Sequence, residues 1–545
     1  MTRLKFALVS YVLLLPACLA AVQLESEQPG TTIAAHHLTP DEAQMRAHVA
    51  YLASDELRGR KPGTDGYDKA AAYVKQQMEK DGLRPAGDDG GWYQKVPLVA
   101  THSVGTPQMT IDGQPLAFDS GFAVWPTPGL AGADLDAPVV FAAYGVVDAA
   151  TGRDDYRGLD VKGKIVALFV SGPKGVNDEV AANESWYLDR TKVAKAHGAV
   201  GVIYLHTKEW EHLLPFKFLA PIFASNQTTW EDNAGSPDLG APRLGLLSST
   251  GAAKLFEKSG TSWEQVRAAE DAGKPVHLGP LNVRLATHQK YATDHFFSMN
   301  VVGRLQGKDP QLARQTVVMT AHLDHVGTIP PVKGDEIANG AIDNAMGVAT
   351  ILEAARQFQV TGKQPKRSIL FIALTAEESG LTGSDYFVHH STVPASDIVA
   401  NINTDAPVLT YRFQDLVALG AERTSIGTVA KSVIESEELK LTPVSMAQRA
   451  FTSSDHYSFV RIGVPVIVLS PGPKAGGREA RTDYSLHRYH TPFDDMSQPF
   501  DWTAGREFVK IYYLLATALA DAPNRPYWVK GDYFGALYKG PVAAH

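Results

Sequence analysis

The spacing of apolar positions changes character twice along the chain. Over 67–83, "YDKAAAYVKQQMEKDGL" repeats apolar residues at helical intervals and stops at Gly82, so 38–85 is expected to be mainly helical. Between about 115 and 290, short β-branched runs such as "APVVFAAYG" and "GKIVALFVSG" are separated by Gly, Asp and Pro, which predicts a β-rich segment. From about 300 onward, strand-like and helix-like stretches alternate. Four runs stand out there: "TVVMTA" (316–321), "SILFIAL" (368–374), "DIVANIN" (397–403) and "VPVIVLS" (464–470). They lack a polar/apolar alternation, as strands covered on both faces do. With the helix "NAMGVATILEAARQF" between the first two, they predict an α/β fold with a mostly parallel twisted sheet flanked by helices.

Length and charge narrow the reading. The 545 residues suffice for two or more domains, and 44% hydrophobic with 20% charged residues is ordinary for a globular protein. A net charge of −8 offers no concentrated basic surface for nucleic acid. The start, "MTRLKFALVSYVLLLPACLAAV", has a basic beginning, an apolar stretch and small residues, the layout of a signal peptide over 1–21. Its apolar part is short for a transmembrane span, so an exported, periplasmic or extracellular protein is expected. The only cysteine, Cys18, excludes disulfides within the chain. "LLPAC" is similar to a lipoprotein box, so lipidation at Cys18 stands beside ordinary cleavage after Ala20 or Ala21.

The chemistry gathers where the strands end. The first run is followed by "HLDH" (His322, Asp324, His325), and "GAIDNAMG" places Asp343 before the helix. The second run leads into Glu377 and Glu378, the third into Asp405, and "HRYHTPFDD" after the fourth holds His487 and His490. Each has an ordinary alternative: one of 18 histidines on a surface, Asp343 as a helix cap, Asp405 opening a turn. Together they fall on one rim of an open α/β sheet, where ligands bind. Histidine and carboxylate donors without cysteine suit zinc or a similar divalent ion.

Charge balance favours two ions. Their four positive charges are met by Asp343, Glu378, Asp405 and one bridging hydroxide, with Asp343 shared between ions about 3.5–4 Å apart. The adjacent acids then acquire separate tasks: one of Glu377 and Glu378 binds metal, and its neighbour acts on the water as general base. Asp324 is placed to orient the imidazole of His322.

"AHLDHVG", "GAIDNAMGVATILEAAR", "TAEESGLTGS" and "YHTPFDDM", in this order, resemble the co-catalytic zinc aminopeptidases, a group that includes secreted bacterial leucyl aminopeptidases and glutamate carboxypeptidase II. The resemblance implies two zinc ions per chain: His322 and Asp405 on one, Glu378 and His490 on the other, and Asp343 bridging. It implies Glu377 as catalytic base, a hydroxide nucleophile and peptide substrates with a free N-terminus. "DYRGLDVKGKIVALFVSGP" with "KVAKAHGAVGVIYL" resembles the protease-associated domain inserted in such enzymes. The implied organisation is 38–115 as the N-terminal part of the peptidase domain, 116–290 as the insertion and 291–545 as the catalytic domain. "FTSSDHYSF" brings Asp455 and His456 near the substrate pocket, and Tyr484, Tyr489 and His487 are candidates to polarise the substrate carbonyl, with Tyr489 carried as substrate-binding. His325 and the pair Asp494–Asp495 read as supporting groups. The alternative is a carboxypeptidase or dipeptidase like glutamate carboxypeptidase II, with Arg449, Arg478, Arg481 and Arg488 holding a substrate carboxylate. A non-catalytic relative would have lost Glu377 or a ligand position, and none is lost here.

Overall fold

The structure is a computed structural model that describes residues 38–542, except 214, 224, 233–234 and 444–447. The expected signal segment, with Cys18, lies outside the described residues.

The N-terminal region supplies α1 (Pro40–Leu52) and α2 (Asp65–Lys80). Helix α1 starts with a reciprocal cap, in which the Thr39 and Glu42 side chains each accept the other residue's backbone N–H, with Pro40 in the first turn. A long strand, β1 (Tyr93–Ile111), comes next. Pro97, Gly105 and Pro107 interrupt its pattern, which is why it is hard to read from sequence alone. Strands β2 (Gly132–Phe141), β3 (Ile165–Phe169), β4 (Gly201–Leu205) and β5 (Arg243–Leu247) belong to the middle region. The 27-residue strand β6 (Gly279–Leu305) leaves it. Then come β7 (Thr316–His322), α3 (Gly347–Thr361), β8 (Ser368–Leu374), α4 (Thr382–His389), β9 (Ile398–Asn403), β10 (Asp415–Leu419), β11 (Val466–Pro471) and α5 (Trp502–Asp521).

All these strands join one sheet. From β10 its order runs β11, β9, β7, β8, β6, β2, β3, β4 and β5. The segment that carries the expected chemistry is parallel: β7 pairs in parallel with β8 and β9, and β9 with β11. Strands β7, β8 and β9 are buried at every position, as their unbroken apolar runs require. Helices α1, α2, α3 and α5 cover one face with a core that includes Leu52, Val74, Val348 and Leu515. The opposite face packs Val318, Leu370 and Ile372 against Phe387, Phe459 and Trp528.

Strand β6 is the seam. Its early part pairs with β2 and its end with β8, while β1 lies antiparallel to it from Tyr93↔Val301 to Ile111↔Leu285. The expected boundary at 290/291 therefore falls inside a continuous strand. A buried ion triad also ties the middle region to the C-terminal segment: Arg423 meets Glu179 at 2.5 Å and Asp532 at 2.7 Å, all three side chains less than a tenth exposed. Arg423→Met strands two buried carboxylates and is expected to lower stability by about 3–5 kcal/mol. Urea unfolding curves compared with wild type check this.

Candidate active site

Because β7, β8 and β9 run in parallel, their C-terminal ends share one rim, and the chain places its acids and histidines immediately beyond them. His322 is the last residue of β7 and Asp405 lies two residues after β9. Glu377 and Glu378 occupy the turn after β8, which Ala376 enters with φ 53°. Asp343 sits in the turn before α3, and His490 comes just after the helix Gly477–His487.

The donor atoms meet in two groups that share Asp343. His322 Nε2 is 3.2 Å from Asp343 Oδ1 and 3.1 Å from Asp405 Oδ1. His490 Nε2 is 3.1 Å from both Asp343 Oδ2 and Glu378 Oε1. His325 joins the second group, with Nδ1 2.9 Å from Glu378 Oε1. In each group the donor atoms lie within 4.8 Å of one another, and all but Asp405 and Glu378 are on fully buried residues. His325, expected only as a supporting group, thus belongs to the cluster.

Carboxylates this close and this buried require positive charge. Burial opposes ionisation of Asp343, but His322 and His490 on its two oxygens outweigh it and hold the carboxyl well below its usual range. Glu378 is likewise opposed by burial, yet the charge of His490 brings it down to about 2. Glu378 Oε2 is buried without a hydrogen-bond partner. A divalent cation fits this donor set, because it supplies the charge and displaces the imidazolium protons on binding.

The supporting contacts explain why each group faces inward. The structure corrects one expectation: it is the backbone carbonyl of Asp324 that takes the hydrogen bond of His322 Nδ1, at 3.1 Å. The Asp324 carboxylate stands 3.9 Å from that nitrogen, too far for a hydrogen bond. It accepts the backbone N–H groups of Glu377 at 3.1 Å and Glu378 at 3.2 Å, and so fixes the turn that presents both glutamates. Two N–H donors facing the carboxylate at this turn offer it better geometry than the imidazole edge. Burial raises Asp324 to about 7. Asp494 plays the same part for Asp343, accepting the N–H of Ile342 at 2.9 Å and of Asp343 at 3.0 Å. Asn344 joins the Asp343 and Asp405 turns: its Oδ1 accepts from Ala406 N, and its amide donates to Thr404 O.

Beneath the site lies Arg60, with none of its surface exposed. It donates from Nε to Leu323 O at 2.8 Å, from Nη1 to Asn339 O at 2.6 Å and from Nη2 to Gly340 O at 3.0 Å, and Nη1 also reaches Leu52 O. The sequence reading did not single it out.

Glu377 is 3% exposed, and burial pushes its carboxyl well above the ordinary glutamate range. The other predicted residues are set further back. Asp455 is fully buried, and burial raises it to about 7. His456 donates to Phe451 O at 2.9 Å, and burial lowers it to about 4, so it is a neutral group turned toward the backbone. Tyr489 stacks on His490 with ring centroids 3.8 Å apart, and Tyr484 reaches Asp494 at 3.4 Å. His487 pairs with Asp483 on the exposed side of its helix. Of the arginines considered for a substrate carboxylate, Arg481 donates to Pro471 O and Arg488 pairs with Asp483 at 2.7 Å. The middle region approaches the turn from outside: Trp230 Nε1 donates to Asp385 of α4 at 2.7 Å, and a Cβ on Gly380 would stand 3.8 Å from the Tyr187 hydroxyl.

Residues 300–516 match the model of Peptidase family M28. The matched stretch is the part of the chain that bears the two donor clusters. Among curated proteins, the chain is 25% identical over 330 residues to Aminopeptidase YwaD of Bacillus subtilis, covering 60% of this chain and 59% of that protein. It is 26% identical over 240 residues to a probable leucine aminopeptidase of Arthroderma otae, covering 43% of this chain and 60% of that protein. The chain thus spans about three fifths of these relatives' lengths. The solved aminopeptidase from Aneurinibacillus sp. strain AM-1 matches over 92% of this chain and 98% of its own, with a TM-score of 0.50 and 17% identity, a likeness of fold.

Proposed function

We propose that the protein is an exported zinc aminopeptidase that removes N-terminal residues from peptides, with two zinc ions held by His322, Asp343, Asp405, Glu378 and His490. The observation that carries this reading is the pair of donor clusters sharing Asp343 beside a further buried carboxylate, Glu377. Cations at such positions supply Lewis acidity, lowering the pKa of water and polarising a carbonyl. Glu377 takes the proton of the attacking water and delivers it to the departing amine. Asp324 holds that side chain at its post through the backbone of the turn. Tyr489, stacked on His490, is read as a substrate-binding residue, and the buried Asp455 and His456 as groups that support the site. The β-rich region 116–290 is read as a protease-associated domain that shapes the entrance, consistent with the contacts of Trp230 and Tyr187 near α4. No helix among the described residues is long and apolar enough to cross a membrane, and export rests on the N-terminal signal pattern.

The test is hydrolysis of leucine p-nitroanilide by purified mature protein before and after chelation. Activity lost with chelator and restored by zinc is the expected result, and a chelator-insensitive rate contradicts it. The same preparations make a stability prediction. A ligand that binds only the folded state adds about 4 kcal/mol at a thousand times its Kd. Zinc is therefore expected to raise the melting temperature of chelated protein, and scanning calorimetry checks it.

A further inference from the structure

Resting on the metallopeptidase reading, we propose that His325 is a direct metal ligand through Nδ1. The two cation positions are then unequal: His325, His490, Glu378 and Asp343 form a four-donor site, and His322, Asp405 and Asp343 a three-donor site.

The separations carry the argument. Zinc bonds to nitrogen and oxygen of about 2.0–2.1 Å in a tetrahedron place neighbouring donors about 3.3 Å apart. His325 Nδ1 lies 2.9 Å from Glu378 Oε1 and 3.7 Å from Asp343 Oδ2. His490 Nε2 lies 3.1 Å from each of those same two oxygens. Each nitrogen thus lies 2.9–3.7 Å from the same two oxygens, and all four atoms fall within 4.8 Å of one another.

His325 faces Glu378 Oε1, the oxygen shared with His490, while Oε2 is buried and receives no hydrogen bond. The two imidazoles meet edge to face, 5.2 Å between centroids at 78°, so that their nitrogens converge. The backbone makes room for the ring. Gly340 has φ +64°, and a Cβ there would stand 2.7 Å from His325 Cδ2. His325 is fully buried, and its backbone N–H donates to Arg60 O, so the side chain is not a surface group that has drifted inward.

The inequality has a chemical consequence. Four protein donors complete a zinc site of the closed kind, whereas three leave a position for solvent or substrate. The four-donor position is therefore the retained one and the three-donor position the exchangeable one.

The experiment loads chelated full-length enzyme with one equivalent of zinc and counts imidazoles per ion by X-ray absorption, with zinc affinity measured against a chromophoric chelator. Wild type is expected to show two imidazoles on the first ion. His325→Gln is expected to show one, with affinity for that ion weakened by at least about 10- to 100-fold, the loss known even for outer partners of ligands. One imidazole in wild type, or an equal count in the two proteins, overturns the proposal and leaves the proposed function standing. If the variant does not fold, by circular dichroism, the wild-type count decides alone. A wild-type enzyme that takes up no zinc overturns the metallopeptidase reading and this proposal with it.

Discussion

Glu377→Gln is expected to lower kcat by about 100- to 10,000-fold, the range supplied by a positioned general base. The substitution keeps the shape of the side chain and the backbone N–H held by the Asp324 carboxylate at 3.1 Å, so the turn stays in place. What it removes is a group that can accept a proton. Glu377 is not among the donors of either cluster, so zinc content should equal wild type and KM should change little. The same loss accompanied by loss of zinc would instead make Glu377 a ligand. A variant with nearly wild-type kcat would remove it from the chemistry altogether.

Arg60→Met is expected to lower stability by at least about 3 kcal/mol, because several buried carbonyls lose their donor at about 1–3 kcal/mol each. Its guanidinium satisfies the carbonyls of Leu52, Leu323, Asn339 and Gly340 at once, and buried acceptors left unpaired are each costly. Burial lowers the pKa of Arg60 to about 10, with Asp343 the strongest of the nearby acids opposing that fall, so the side chain remains charged at neutral pH. Methionine fills the space but donates nothing. Arg60→Lys should recover only part of the loss, because three donors on one nitrogen cannot reproduce a planar fork. Urea unfolding of both variants measures this, and a cost below about 1 kcal/mol, typical of an exposed residue, would contradict it.

The fold and much of the candidate site could be read from residues because they obey simple rules. Strands β7, β8 and β9 announce themselves as unbroken apolar runs, and parallel strands deliver the residues at their C-terminal ends to one rim. His322, Asp343, Glu377, Glu378, Asp405 and His490 are therefore gathered by topology alone, although they span 169 positions in the sequence from first to last. His325 escaped because three further residues of extended backbone would turn it to the opposite face from His322. In the structure β7 stops at His322, and the Asp324 carbonyl takes the hydrogen bond of that imidazole, so the chain hooks and carries His325 back.

Arg60 was invisible for another reason. It lies in a stretch expected to be helical, yet its φ is +49°, and its partners are backbone carbonyls up to 280 residues away. No residue type marks a carbonyl as an acceptor. The carboxylate of Asp324 illustrates a third case. A carboxylate two residues from a histidine pairs with it in many sites, but here the fold brings the backbone N–H groups of the glutamate turn to it instead.

The proposed zinc aminopeptidase activity trims peptides from the amino end. It is tested most directly by incubating one unlabelled leucine-initiated peptide in three forms, free at both ends, N-acetylated and C-amidated, and following the products by mass spectrometry. Sequential loss of N-terminal residues from the free and amidated forms, with the acetylated form intact, is the predicted result. Loss from the carboxyl end, with the acetylated peptide degraded, would contradict it and assign the same metal cluster to a carboxypeptidase.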